Sequence, residues 1–215
     1  MDRKTKEAIR YLGYGKNAVD ADTKRLISDS FRELDQVAEQ RMVYRIFELQ
    51  ETDGQITIGS LLIESKALKK NMKGCEKALM LGATLGAEVD RLLRKYELTD
   101  MAKAVVLQAC AAAMLEEYLD TRQEELKEDL GREGWYLRPR FSPGYGDFDI
   151  RHQKLVLRML ESEKKIGLMA TDSCMLIPTK SVTAVIGLSK TPISCHRQGC
   201  EACDKTDCTY RRATS

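Results

Sequence analysis

Residues 138–148 read Arg138-Pro139-Arg140-Phe141-Ser142-Pro143-Gly144-Tyr145-Gly146-Asp147-Phe148, and this stretch is the most informative in the chain. The Pro143-Gly144 pair predicts a tight turn, because proline presets one backbone angle and glycine accepts a positive φ. The residues before it, 135–141, favour a strand, and the apolar spacing of 150–164 favours a helix. The sequence therefore predicts a strand, a tight loop and a helix in that order.

The side chains of this loop have the chemistry of a binding site. Arg140 offers a planar fork of donors that suits a carboxylate. The backbone beside Gly144 can approach a ligand closely, and Tyr145 adds an aromatic face and a hydroxyl. These features suit an amino-acid-bearing sulfonium such as S-adenosylmethionine. On residue types alone, a strand-end turn with a surface arginine and a packed tyrosine is the more frequent arrangement, so both interpretations stay open at this point.

Toward the N-terminus the sequence favours helix, since the first proline is Pro139. Asp20 can cap a helix whose apolar face holds Ile27, Phe31 and Leu34. The predicted helices are 4–12, 21–40, 60–71, 87–97 and 101–130, the last stopping at Gly131. The predicted strands are 42–48, 55–58 and a buried strand over 78–83.

Toward the C-terminus, strands are predicted near 173–177 and 181–188, joined as a hairpin around Pro178. The order of strands and helices shows no regular βαβ alternation, so we expect an α+β fold with a largely antiparallel sheet and packed helices. Apolar content falls after residue 190. We predict a domain over residues 1–190 and a short cysteine-rich C-terminal tail over 191–215.

Composition narrows the class of protein. The 215 residues carry 35 basic and 33 acidic side chains, a net charge of +2, so a dedicated nucleic-acid-binding surface is not expected. No run approaches the roughly 18 apolar residues of a membrane span. The charged first residues, 1–10, lack the apolar core of a secretion signal. We therefore expect a cytoplasmic globular protein with no nucleic-acid or membrane partner.

The tail concentrates cysteine. The four thiols belong to Cys195, Cys200, Cys203 and Cys208. Four thiolates suit tetrahedral zinc or an iron–sulfur cluster, although the spacing matches neither a zinc ribbon nor a plant-type ferredoxin in full. Two alternatives remain: reduced thiols with no metal bound, and two disulfides, which conflict with a cytoplasmic location. We predict a metal site, and we predict that the other three cysteines are core residues: Cys75, Cys110 and Cys174.

The order of motifs resembles the activation domain of vitamin B12-dependent methionine synthase. In that family an Arg-x-x-Pro-Gly-Tyr motif, here Arg140–Tyr145, precedes a helix, a glycine, a Thr-x-Ser strand, a proline and a Ser-Val strand. The later matches here are Ile166-Gly167, Thr171-Asp172-Ser173, Pro178 and Ser181-Val182. The resemblance covers residues 110–188, and the loop is similar to that of short, free-standing relatives of the domain.

The resemblance implies a curved antiparallel sheet with packed helices. It also implies a function: the family binds S-adenosylmethionine and reactivates methionine synthase whose cobalamin has oxidised to Co(II). One electron, from a flavodoxin or similar donor, and one methyl group regenerate methylcobalamin. By position, Arg140 would hold the methionine carboxylate, and the backbone of Ser142 and Gly144 would line the cofactor site. Tyr145, the residue assigned to catalysis, would lie beside the ligand near a corrin held by the partner protein.

The chain also departs from the family pattern. Ala113 stands where the long enzyme has an acidic residue, and the aromatic pair that follows the last family strand is absent. Three hypotheses follow. The first is an S-adenosylmethionine-binding subunit that reactivates a cobalamin-dependent methionine synthase. The second is an iron–sulfur electron-transfer activator of corrinoid methyltransferases, and the third is a non-catalytic metal-binding adaptor of a corrinoid protein.

Overall fold

The computed structural model describes residues 1–14, 18–52 and 55–192. In this part of the chain the helices are α1 (Arg3–Tyr11), α2 (Ala21–Val37), α3 (Lys66–Asn71), α4 (Ala87–Thr99), α5 (Met101–Arg132), α6 (His152–Leu160) and α7 (Ser162–Ile166). The strands are β1 (Arg41–Thr52), β2 (Gln55–Ile58), β3 (Leu61–Ile63), β4 (Lys77–Thr84), β5 (Tyr136–Leu137), β6 (Met169–Ala170), β7 (Leu176–Ile177) and β8 (Ser181–Ser189).

Six strands form an antiparallel sheet in the order β3-β2-β1-β4-β8-β5. β4 lies between β1 and β8, so that Leu81 is opposite Tyr44 on one side and Ala184 on the other. From Ala78 onward every residue of β4 is buried, as its unbroken apolar run predicts. The predicted α+β fold with a largely antiparallel sheet and packed helices is confirmed.

The chain divides into two compact units. Within the described residues, the first contains 1–40 and 85–120, and the second contains 41–84 and 121 onward. The second unit holds a core in which Leu68, Met80, Phe148 and Val185 are among the buried residues. The predicted division into 1–190 and 191–215 stays a prediction, because nearly all of the tail lies outside the described residues.

Local signals located several elements well. Asp20 caps α2 by accepting from the Thr23 N–H at 2.8 Å, and Ile27, Phe31 and Leu34 are buried on one face of the helix. The small residues in the middle of α5 allow a close approach, and the Cys110 thiol lies 3.8 Å from the Ile27 carbonyl of α2.

The predicted helix over 60–71 is wrong in its first half. Residues 61–63 form β3, in which Ile63 is opposite Ile56 of β2. Gly59, at φ 57°, makes the short turn between these two strands, and the alternating burial of β3 is a strand pattern. The helix begins only at Lys66.

Two helix ends also differ from the prediction. α5 continues through Gly131 to Arg132, and the chain reverses at Gly134, the glycine with positive φ. The Trp135 N–H then donates to the Leu130 carbonyl at 2.9 Å, which closes the helix. The predicted helix over 150–164 is two helices, because Glu161 adopts a left-handed conformation between them.

The predicted hairpin around Pro178 is wrong as well. β7 pairs with β6, a strand absent from the sequence prediction, with Ile177 opposite Met169. The turn between them lies over 171–175, where the Thr171 N–H donates to the Met175 carbonyl at 2.8 Å. β8 pairs instead with β4 and β5.

Candidate functional site

The segment before the loop runs antiparallel to β8 with one extra residue. The Arg138 N–H donates to the Gly187 carbonyl at 2.8 Å, and Phe141 exchanges two backbone hydrogen bonds with Val185. The step from Arg138 to Phe141 is three residues, whereas the step from Gly187 to Val185 is two. Since proline has no N–H to donate, Pro139 ends regular pairing here. The predicted strand over 135–141 is therefore reduced to β5 and the bridge at Phe141. The extra residue lies between Arg138 and Phe141, in the short stretch that contains Arg140.

The loop itself is closed by short backbone hydrogen bonds. The Gly144 N–H donates to the Phe148 carbonyl at 2.7 Å, and the Tyr145 N–H donates to the Ser142 carbonyl at 3.1 Å. Gly144 has φ 95°, and a Cβ at this position would lie 3.2 Å from the Ile150 side chain. Only glycine combines this backbone angle with this space at low cost, so the predicted turn is well determined.

Asp147 ties the loop to the start of α3. Its carboxylate accepts from the Ser65 hydroxyl at 2.5 Å, from the Lys66 N–H at 2.7 Å and from the Ala67 N–H at 3.0 Å. The Ser65 hydroxyl in turn accepts from the Leu68 N–H at 3.0 Å and so caps the helix. The hydrogen bond from Ser65, followed by those from Ala67 and Lys66, holds the pKa of Asp147 below its ordinary value of 3.8.

Aromatic rings connect the loop to the core. Phe148 is fully buried and stacks on Phe141 with ring centroids 6.3 Å apart. Tyr145 meets the edge of Phe141 at 6.4 Å and is 66% exposed. On the other side of Phe148, the His152 ring lies 5.5 Å away and is half-buried, which differs from the solvated histidine that its position at a helix start suggests. The loop thus exposes Tyr145 to solvent, while the Phe141 and Phe148 rings beneath it pack into the core.

The predicted binding residues lie together on this one loop. Arg140 and Ser142 are half-buried, whereas Gly144 and Tyr145 are exposed. A ligand at the loop could therefore reach the backbone beside Gly144 and the face of Tyr145. Their individual roles stay predictions.

Sequence reasoning missed Asp147, Ser65 and the ring of His152 as parts of this region. A serine three residues before a helical leucine is a capping signal that could have located Ser65. No local signal pairs Ser65 with Asp147, because 82 positions separate them. Asp149 was missed too: Arg151 donates to it and lowers its pKa to about 2.

The four cysteines of the predicted metal site lie outside the described residues: Cys195, Cys200, Cys203 and Cys208. Within the described ranges, His, Cys, Asp and Glu side chains form no group of three suited to a metal ion. The remaining cysteines are buried, as predicted, and burial raises the pKa of Cys110 to about 12. In the same part of the chain, no helix combines the length and apolar content needed to cross a bilayer.

A cavity of about 880 Å³ is lined by residues between 154 and 172, in the segment that follows the loop. It is lined by α6, α7 and β6, with Lys154 and Asp172 forming an ion pair at 3.2 Å. Arg158 and Lys164 add positive charge, and Glu161 and Glu163 add negative charge. None of the predicted binding residues lines this cavity.

Comparison with known proteins identifies the fold. No protein-family model matches the sequence, and no curated protein matches it. Among solved structures, the chain is similar to the crystal structure of the MetH reactivation domain bound to AdoHcy, with a TM-score of 0.63 and 17% sequence identity. The match covers 88% of this chain and 78% of that one. The chain therefore has the fold of the MetH reactivation domain.

Proposed function

We propose that this protein is an S-adenosylmethionine-binding subunit that reactivates a cobalamin-dependent methionine synthase or a related corrinoid protein. The observation that carries the proposal is the position of the Arg140–Tyr145 motif. It forms a closed loop beside an edge strand, in a fold shared with a reactivation domain bound to AdoHcy. AdoHcy is what S-adenosylmethionine becomes when it gives up its methyl group, so the pairing of fold and ligand supports this activity.

The reaction balances with one electron and one methyl group. A donor such as a flavodoxin reduces Co(II) of the partner's cobalamin to Co(I). The methyl group then passes from the sulfonium of S-adenosylmethionine to cobalt, which forms methylcobalamin and releases S-adenosylhomocysteine. Because Co(I) is a strong nucleophile, the protein's contribution is to bring donor and acceptor into line rather than to move protons.

Each loop residue has a role in this scheme. Arg140 binds the carboxylate of the methionine moiety through its planar fork of donors. The backbone of Ser142 and Gly144 lines the ligand, which the absence of a side chain at position 144 permits. The exposed ring of Tyr145 faces the sulfonium and the corrin that approaches with the partner.

Calorimetric titration with S-adenosylmethionine tests the proposal. We expect the wild-type protein to bind, and Arg140→Ala to bind at least about 100-fold more weakly, since a charge-assisted bidentate contact of roughly 3 kcal/mol is lost. Arg151→Ala is the matched control: this exposed arginine flanks the same loop and pairs with Asp149. It should bind as the wild type does.

A turnover experiment extends the same comparison. The protein is mixed with a Co(II) corrinoid protein, a reductant and S-adenosylmethionine, and methylcobalamin is followed by its absorption spectrum. Formation with wild type and Arg151→Ala, and its loss with Arg140→Ala, supports the proposal. Absence of binding to the wild-type protein at millimolar S-adenosylmethionine contradicts it.

The cysteine-rich tail has a separate part in the proposal. We infer that Cys195, Cys200, Cys203 and Cys208 bind zinc or an iron–sulfur cluster. A cluster could pass the electron to cobalt, whereas zinc would be structural. Elemental analysis of the purified protein separates the two, and bound iron together with failure to bind S-adenosylmethionine would favour an electron-transfer activator instead.

A further inference from the structure

We propose that Asp147 is a positioning residue. It fastens the loop over residues 142–148, the proposed binding loop for S-adenosylmethionine, to α3 in its binding conformation. The inference rests on the proposed function for its ligand, but the attachment itself is visible in the structure. It assigns to the ligand site a residue and a helix that contribute no predicted ligand contact.

The attachment has three hydrogen bonds and a close backbone contact. The Asp147 carboxylate accepts from Ser65 and from the N–H groups of Lys66 and Ala67. Next to it, a Cβ on Gly146 would lie 3.1 Å from the Ala67 Cβ, so the loop backbone rests directly on the helix. Both contacts join positions about 80 residues apart in sequence.

The segment that carries the loop holds α3 at its other end too. Arg138 donates from Nη2 to the Lys73 carbonyl at 2.7 Å, just beyond the end of the helix. Between these two points, Leu68 and Met72 are buried in the core of the second unit. α3 is therefore a fixed support that contacts the segment before the predicted binding residues and the segment after them.

This arrangement affects ligand binding because it sets the fraction of molecules whose loop is in the binding conformation. A ligand that needs one loop conformation binds more weakly in proportion to the fraction of molecules that hold it. Charge-assisted hydrogen bonds to a carboxylate are among the stronger ones available, and three of them converge on Asp147. Their loss should free the loop without removing any group that touches the ligand.

The test compares Asp147→Ala with a matched capping aspartate, Asp20→Ala. Like Asp147, Asp20 accepts hydrogen bonds at a helix start. It accepts two, both from Thr23, and it lies outside the loop and α3. We expect Asp147→Ala to raise the Kd for S-adenosylmethionine by about tenfold, which corresponds to a loop populated about one tenth of the time. Asp20→Ala should leave the Kd unchanged while lowering thermal stability.

A conservative variant and a ligand-free measurement complete the design. Asp147→Asn keeps one oxygen for Ser65 and Ala67 and loses the acceptor for Lys66, so its Kd should fall between those of the wild type and Asp147→Ala. Hydrogen exchange reports the loop directly, since Gly144, Tyr145 and Phe148 all donate backbone hydrogen bonds within it. These amides should exchange faster in Asp147→Ala and at the wild-type rate in Asp20→Ala.

Each outcome decides the inference. Unchanged loop exchange in Asp147→Ala overturns the attachment, and faster exchange with an unchanged Kd overturns its role in binding. If the wild-type protein does not bind S-adenosylmethionine, the proposed function fails and the role of Asp147 in binding fails with it. The exchange rates then still decide whether Asp147 fastens the loop.

Discussion

Helices α2 and α3 both begin at a polar capping residue, but the two caps differ in how far along the chain their hydrogen-bond partners lie. Asp20 caps α2 by accepting hydrogen bonds from the N–H and the hydroxyl of Thr23, three residues away in the same turn. Ser65 caps α3 and also donates to Asp147, 82 positions further along the chain. The first cap serves its own helix, whereas the second also holds a loop that carries predicted binding residues. A helix start can therefore hold in place a loop from a distant part of the chain.

The largest effect should come from breaking the contact between α3 and the loop at Gly146. Gly146→Val places a branched side chain at φ 55° and against the Ala67 Cβ, so we expect a loss of roughly 3 kcal/mol in the free energy of unfolding, measured in urea. Gly167→Val is the control, because Gly167 has φ 69° but no atom within 4 Å of the added Cβ. It should lose roughly 1–2 kcal/mol from backbone strain alone. Equal losses in the two variants would show that the contact contributes nothing.

A smaller effect should follow from removing the shared cap. Ser65→Ala deletes the acceptor for Leu68 and the donor to Asp147, and we expect a loss of about 1–2 kcal/mol in unfolding free energy. It should also weaken S-adenosylmethionine binding. Ser30→Ala in α2 is the matched buried serine. Within the described residues its hydroxyl has no hydrogen-bond partner, so the change should be within about 0.5 kcal/mol. Similar losses in the two variants would contradict the comparison.

The smallest effect should be on how the free energy of unfolding depends on pH in acid. Hydrogen bonds hold the pKa of both Asp147 and Asp20 below 3.8 in the folded protein. The unfolded chain therefore binds protons more readily, so the stability from each carboxylate is present above about pH 3.8 and is lost as the pH falls below it. Each alanine variant should show a flatter decline of stability in acid than the wild type. In the wild type, the protection of the loop amides, taken relative to the intrinsic exchange rate at each pH, should fall in the same pH range. A fall of equal size in Asp147→Ala would contradict the assignment.

The same contrast explains what the sequence could predict. The periodicity of α2, the apolar run of β4 and the Pro143-Gly144 turn are local patterns, and each gave the right element. β3 and the β6–β7 ribbon depend on which segments pair with them, so short apolar runs were assigned to a helix or to the wrong hairpin. The loop residues of the candidate site were found because their motif is contiguous. The motif contains Asp147 but gives no sign of its role, because its hydrogen-bond partners come from a distant segment.

The two fixed ends of the loop have a consequence for recognising other chains built in this way. Phe141 is bound to β8 and Asp147 to α3, which leaves five residues, 142–146, to span the gap. An insertion or deletion there would detach one end or the other, whereas many substitutions would leave both in place. The number of residues between an aromatic edge position and an aspartate should therefore be a more durable signature of this architecture than the identity of the residues, which matters when two chains share only 17% of them.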